Sequence, residues 1–164
     1  MTTFAIGDVQ GCFHSFRALL QKIDFSVERD HLIFVGDIVN GGAHSLEIAQ
    51  WIIDHRHLVS AVLGNHDIHF LALLDGGQSA GKRDTLTALL GSPLAEDFRT
   101  WLLSQSFFMK RHGWYFSHAG ILPQWTLAEA ESQSDRLMET LRGNQRSAFF
   151  ESYRNPFPLR LQDV

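Results

Sequence analysis

Three short apolar runs in this chain each stop at a glycine followed by a polar side chain. Residues 2–6 run into Gly7-Asp8, residues 32–35 into Gly36-Asp37, and residues 58–63 into Gly64-Asn65-His66-Asp67. Runs of this length and bulk read as strands, and the 32–35 run reads as a strand buried on both faces. Between them lie two helical stripes. Phe16, Leu19, Leu20 and Ile23 fall on one face of residues 13–23, and Leu46, Ala49, Ile52 and Ile53 on one face of residues 45–55. The alternation of strand and helix predicts βαβ units and a parallel sheet, hence an α/β fold with a layered sheet core and flanking helices.

The remainder is less regular. A helix is expected over residues 68–74, then a loop over 75–83 that holds Gly76, Gly77 and Gly81. Short helices are expected over 85–90 and 94–103. Residues 107–110 and 114–117 flank Arg111-His112-Gly113 and read as a hairpin whose second arm ends in Ser117-His118-Ala119-Gly120. Thr126 and Glu129 have capping-box spacing and open a helix to about Arg142. Beyond Ser147, Phe149, Phe150, Phe157 and Leu159 show no clear period. No domain boundary stands out, so residues 1–164 are read as one domain, a length that suffices for a core.

Composition closes off several classes. The formal charge of −4 argues against a broad nucleic-acid footprint. No run of about 18 apolar residues offers a membrane span, and no secretory leader is read at the start. The one cysteine, Cys12, permits no internal disulfide and is expected to be a small buried apolar side chain in a reducing, cytoplasmic setting. Lys82 and Arg83 read as a solvated basic pair.

Polar clusters at the carboxyl ends of parallel strands converge on one crevice. Here they bring carboxylates, amides and imidazoles, a donor set suited to Mn²⁺, Mg²⁺, Fe or Zn²⁺. Two such ions about 3.5–4 Å apart clamp a phosphoryl group. In this reading Asp37, on a central strand, bridges the ions. Asp8 and Gln10, two residues apart on an extended segment, serve one ion, while Asn65 and His118 serve the other. His66 acts as general acid, held by Asp67.

The order Gly-Asp-X-X-Gly, Gly-Asp, Gly-Asn-His-Asp and His-Ala-Gly resembles the calcineurin-like metallophosphoesterases. Within that family the stretches IGDVQGC, LGNHDIHFLA, DTLTALL and SHAGILPQW are similar to the branch that splits diadenosine tetraphosphate symmetrically into two ADP. The resemblance runs from Thr3 to about Arg160. It implies the family's fold, a dinucleoside polyphosphate substrate and two divalent metal ions (Mn, Co, Fe or Zn). It also implies metal ligands at Asp8, Asp37, Asn65 and His118, and a catalytic acid at His66 with Asp67 as partner. Against the family pattern, Gln10 replaces a histidine ligand and Gly41 replaces a phosphate-gripping arginine. The family's later Gly-His motif has no counterpart, since no histidine follows His118.

Two further expectations follow. The alternative reading is a catalytically weak or silent relative, C-terminally short, that only binds nucleotide or a partner; another calcineurin-like phosphoesterase is the third reading. A sheet face left uncovered by a short C-terminus is expected to favour self-association through exposed apolar surface.

Overall fold

The computed structural model describes residues 2–153. Strands β1 (Thr3–Ile6), β2 (His31–Val35) and β3 (Val59–Val62) form a parallel sheet in the order β1-β2-β3. Ile6 lies opposite Phe34, and Val35 opposite Val62, so the three carboxyl ends finish at one edge. β2 is the central strand, and its Leu32, Ile33 and Phe34 have no solvent exposure. That is why its sequence is a continuous apolar run rather than an alternating one.

Helices α1 (Phe13–Lys22) and α2 (Ser45–Asp54) are the crossovers of the two βαβ units, and a single 3-10 turn over Arg56–Leu58 leads into β3. Phe16 of α1 meets Trp51 of α2 edge to face at 4.8 Å. The predicted stripe of α1 is narrower than its sequence period: Phe16 and Leu20 are buried, but Leu19 lies at the helix's exposed margin. Helix α3 (Asn65–Leu74) buries residues 67–72 without interruption, so it runs through the interior. It begins three residues before the apolar run, at Asn65.

Helices α4 (Thr87–Leu90) and α5 (Leu94–Leu103) extend the core through Leu89, Phe98 and Leu102. Strands β4 (Phe108–Arg111) and β5 (Trp114–Ser117) pair antiparallel, as expected, but as a separate two-stranded sheet. His112 and Gly113 turn the hairpin with φ of 51° and 80°, the primed-turn geometry that matches strand twist. Helix α6 (Leu127–Arg142) opens on the predicted capping box: Glu129 N donates to Thr126 Oγ1 (3.2 Å), and Thr126 N donates to Glu129 Oε2 (2.7 Å). Ser134 of α6 accepts from the amides of Phe107 and Phe108 and so fixes the start of the hairpin.

A final helix, α7 (Arg146–Ser152), was not expected from the sequence. Seven residues give too few turns for a period to show, and its Phe150 is fully buried. The apolar residues Phe157 and Leu159 lie outside the described residues. Cys12 is exposed rather than buried, because it stands at the turn before α1 with Sγ 3.8 Å from the Gln10 carbonyl. Trp114, Ile121, Leu122 and Leu127 are the larger apolar side chains facing solvent on the hairpin and the approach to α6. Among the described residues no helix is long and apolar enough to cross a membrane.

Candidate metal centre

Asp37 sits directly beyond β2, the central strand, with its side chain 5% exposed. The chain reaches it through two left-handed residues, Gly36 (φ 82°) and Asp37 itself (φ 50°). Only glycine, or a short polar side chain such as aspartate, adopts that conformation readily. The preceding and following loops are laced together, Gln10 N donating to Asp37 O (2.8 Å) and Gly11 N to Ile38 O (3.0 Å). Asp37 Oδ1 accepts from the backbone amide of His66 at 2.9 Å. A side chain at Gly64 would collide with Asp37 Oδ1 and its amide nitrogen, so the glycine here is a requirement of space.

His118 follows β5, in the separate hairpin sheet, and is carried across to the parallel sheet's edge. Its Nδ1 donates to the Val35 carbonyl at 2.8 Å, which fixes the tautomer and leaves Nε2 with its lone pair in the neutral ring. Nε2 faces Asp37 Oδ1 at 3.4 Å. Two acceptors held that close call for a positive charge between them. A Cβ at Gly36 would strike the His118 ring, so both glycines clear room for the centre. Asp8, 54% exposed, completes the group: one ligand atom from each of Asp8, Asp37 and His118 lies within 4.8 Å of the others. Two carboxylates and an oriented imidazole fit a divalent cation.

Of the residues assigned as ligands, Asp8, Asp37 and His118 group together, and His118 shares the wall of one cleft with Asn65. Asn65 is exposed at the first turn of α3. Gln10 does not lie on an extended segment; it is left-handed (φ 45°), because its amide bonds to the Asp37 loop. Its side-chain Nε2 donates to Asp37 Oδ2 at 3.4 Å, so the amide nitrogen rather than the oxygen faces the centre.

Asp67 also departs from its expected role. Its oxygens accept from Ile38 N and Gly64 N, both at 2.9 Å, capping α3 and pinning the Asp37 loop. Adjacent residues on a helix do not face one another, so Asp67 turns inward while His66 turns to the site. Burial, reinforced by the nearby Asp37 charge, pushes the Asp67 carboxyl up to about 7. His66 Nε2 instead faces Asp37 Oδ2 at 3.8 Å, and its buried Nδ1 has no hydrogen-bond partner among the described residues.

One group of residues was given no role by the sequence reading. Asp84 accepts from Asn40 Nδ2 (2.9 Å), from Gly81 N (2.6 Å) and from His69 Nε2, which reaches both carboxylate oxygens at 3.0 Å. Burial alone would raise its pKa, but these donors, His69 foremost, outweigh that effect and hold it at about 2. Asn40 closes the loop that carries Asp37, and His69 lies one turn beyond His66 on α3. A single carboxylate thus secures both elements that build the centre. The available signal was His69 itself: a histidine within the otherwise apolar run of residues 68–74 needs a buried partner.

The family profile of calcineurin-like phosphoesterases matches residues 1–158. The chain belongs to the calcineurin-like phosphoesterase family. Curated relatives include the symmetrical bis(5'-nucleosyl)-tetraphosphatase of Chromobacterium violaceum, 37% identical over 163 residues, with 99% of this chain and 59% of the relative covered. The enzyme of the same name from Neisseria gonorrhoeae is 43% identical over 150 residues, covering 92% of this chain and 54% of the relative. The chain therefore spans a little over half the length of the curated relatives it matches. Among solved structures, one provisionally assigned as a diadenosine tetraphosphatase superposes with a TM-score of 0.63 at 27% identity, covering 77% of this chain and 53% of that one. A cold-active protein-tyrosine phosphatase from Shewanella shares the fold at a TM-score of 0.61 and 21% identity, over 91% of this chain and 54% of its own. In this calcineurin-like phosphoesterase, Asp8, Asp37 and His118 meet at the carboxyl edge of the parallel sheet as a group that could hold a metal ion.

Proposed function

We propose that this chain carries the catalytic centre of a metal-dependent phosphoesterase that cleaves dinucleoside polyphosphates, diadenosine tetraphosphate giving two ADP. The observation that carries the chemistry is the meeting of Asp8, Asp37 and His118 within 4.8 Å at the sheet's carboxyl edge. The substrate class rests on the names of the curated relatives. Asp8, Asp37 and His118 would hold the first divalent ion, with Asn65 and Gln10 at its margins and Asn65 available to a second. A divalent cation there supplies Lewis acidity and a water of lowered pKa. The donor set suits Mn, Co, Fe or Zn.

The chain's own residues do the rest. Asp37 is held by the His66 amide, so its carboxylate would meet a bound cation without rearrangement. One water is consumed: its oxygen bonds to an inner phosphorus, the central P–O bridge breaks, and the departing half leaves as ADP. His66 Nε2 stands beside Asp37 and would give a proton to that departing oxygen. The free thiol of Cys12 fits a reducing, cytoplasmic setting.

The test is metal content by elemental analysis, paired with ADP release from diadenosine tetraphosphate at millimolar Mn²⁺ or Co²⁺. The chain is expected to bind at least one ion and to release ADP. Asp37→Asn should lose both. ADP release no greater than that of Asp37→Asn would overturn the reading.

A further inference from the structure

Beside the metal centre lies a cleft of about 530 Å³ that no step above uses. His118 and Asn65 stand in its wall, so it opens directly from the site. Its other walls are apolar: Phe107 before β4, Leu137 of α6, Phe149 of α7 and Tyr153 just after it. Phe149 and Tyr153 are stacked on each other, with ring centroids 5.9 Å apart and planes 23° apart, and both line the cleft. The volume falls in the range of small-molecule sites, which are mostly apolar with a few polar groups at one end. Here the polar end is the metal centre itself.

We propose that this cleft is the nucleoside subsite: the purine of the half-substrate stacks in it while the phosphates reach the metal centre. The inference rests on the function proposed above and adds the part of the ligand that function leaves unplaced. A ligand that fills both regions must be anionic at one end and flat, aromatic and weakly polar at the other. A nucleoside diphosphate unit has that shape. The cleft's lining is carbon-rich, with Ser117, Asn65 and the Tyr153 hydroxyl, which pairs with His69, the polar groups beside His118, so recognition falls on the ring face rather than the base edge. Stacking on an aromatic side chain raises affinity about tenfold and is tolerant of base identity. The subsite therefore prefers a purine to no base at all and distinguishes adenine from guanine weakly.

The test compares binding of ADP, GDP and inorganic pyrophosphate to the Mn²⁺-loaded chain by calorimetry. All three offer a diphosphate; only two bring a base. ADP and GDP are expected to bind within about threefold of each other and about tenfold or more tighter than pyrophosphate. Leu137→Trp fills the cleft from α6 and should bring the ADP-to-pyrophosphate ratio close to one. Phe149→Leu, which keeps apolar volume but removes the ring, should lower that ratio several-fold and guards against a misfolded tryptophan variant. Equal affinity for ADP and pyrophosphate in the unmodified chain would overturn the proposal, as would an unchanged ratio in both variants. The two readings fail separately. Base-dependent binding without ADP release from the dinucleotide would sink the catalytic reading and keep the subsite. ADP release with no base-dependent binding would do the reverse.

Discussion

The backbone amide of His66 donates to Asp37 Oδ1 at 2.9 Å, joining the loop after the central strand to the first turn of α3. The bond lies where a helix N-terminus presents unpaired amides, and a carboxylate is favoured there both as acceptor and as charge. It is possible only because Gly64 has no side chain, since a Cβ would occupy the Asp37 oxygen's position. Gly64→Ala is expected to push the loop away from the helix. Overpacking of this kind costs about 1–3 kcal/mol. Urea denaturation should show that loss, and metal titration should show binding weakened beyond detection. A Gly64→Ala protein that binds Mn²⁺ normally would contradict the close approach.

Gln10 offers an N–H to Asp37 where the family pattern has an imidazole. Its left-handed backbone (φ 45°) is one that histidine adopts more readily than most residues, so Gln10→His needs no backbone change. The variant exchanges a donor for a nitrogen lone pair beside two carboxylates. Tighter Mn²⁺ binding is expected, by about 10–100-fold, a range typical of changes close to a metal site. Calorimetric titration of the two proteins decides it, and equal affinities would mean that position 10 does not reach the ion.

Asp84 holds Asn40 and His69 together, so removing it strands two buried donors. Asp84→Ala is expected to cost about 2–4 kcal/mol in urea denaturation, in the range for a buried partner left unpaired. Because Asn40 closes the Asp37 loop, metal affinity should fall as well. Asp84→Asn keeps the acceptor oxygen for Gly81 or Asn40 and should recover part of both losses. If Asp84→Ala alters neither quantity, the clamp is not a support of the centre.

His31 is buried beneath the hairpin, with Nε2 3.0 Å from Ser60 Oγ. Burial, followed by the nearby Arg111 and His112 charges, depresses it to about 4. The folded state therefore refuses a proton that the unfolded chain accepts below about 6.5. Stability from this residue is complete above that pH and declines as pH falls toward 4, by about 3 kcal/mol at most. His31→Gln should flatten the pH dependence between 6.5 and 4.5 in urea denaturation. Parallel losses in the two proteins would show that His31 takes no part. Asp67 works in the opposite direction, since its raised carboxyl favours the folded state at low pH. Comparing variant with parent isolates His31 from it.

The parallel sheet was legible because its central strand, β2, is buried on both faces and its crossovers carry a helical period. The Thr126–Glu129 box announced α6 for a reason equally local. The misreadings arose where tertiary contacts decide. Gln10 looked extended from its spacing to Asp8, but bonds to the Asp37 loop bend it. Asp67 looked like a partner of His66, its neighbour in sequence, whereas the nearest unpaired amides belong to Ile38 and Gly64. Asp84, in a glycine-rich loop, gave no periodic signal at all; its importance comes from residues 15 and 44 positions away.

The left-handed backbone at Asp37 also bears on how this lineage can change. Of the residues that tolerate φ near 50°, asparagine is closest to aspartate in size. Its side-chain oxygen can still accept the His66 amide. Aspartate and asparagine codons differ by one base. A single point mutation can therefore strip the centre of its principal charge while the chain goes on folding, which makes loss of the proposed metal binding an accessible step that selection on stability alone would not resist.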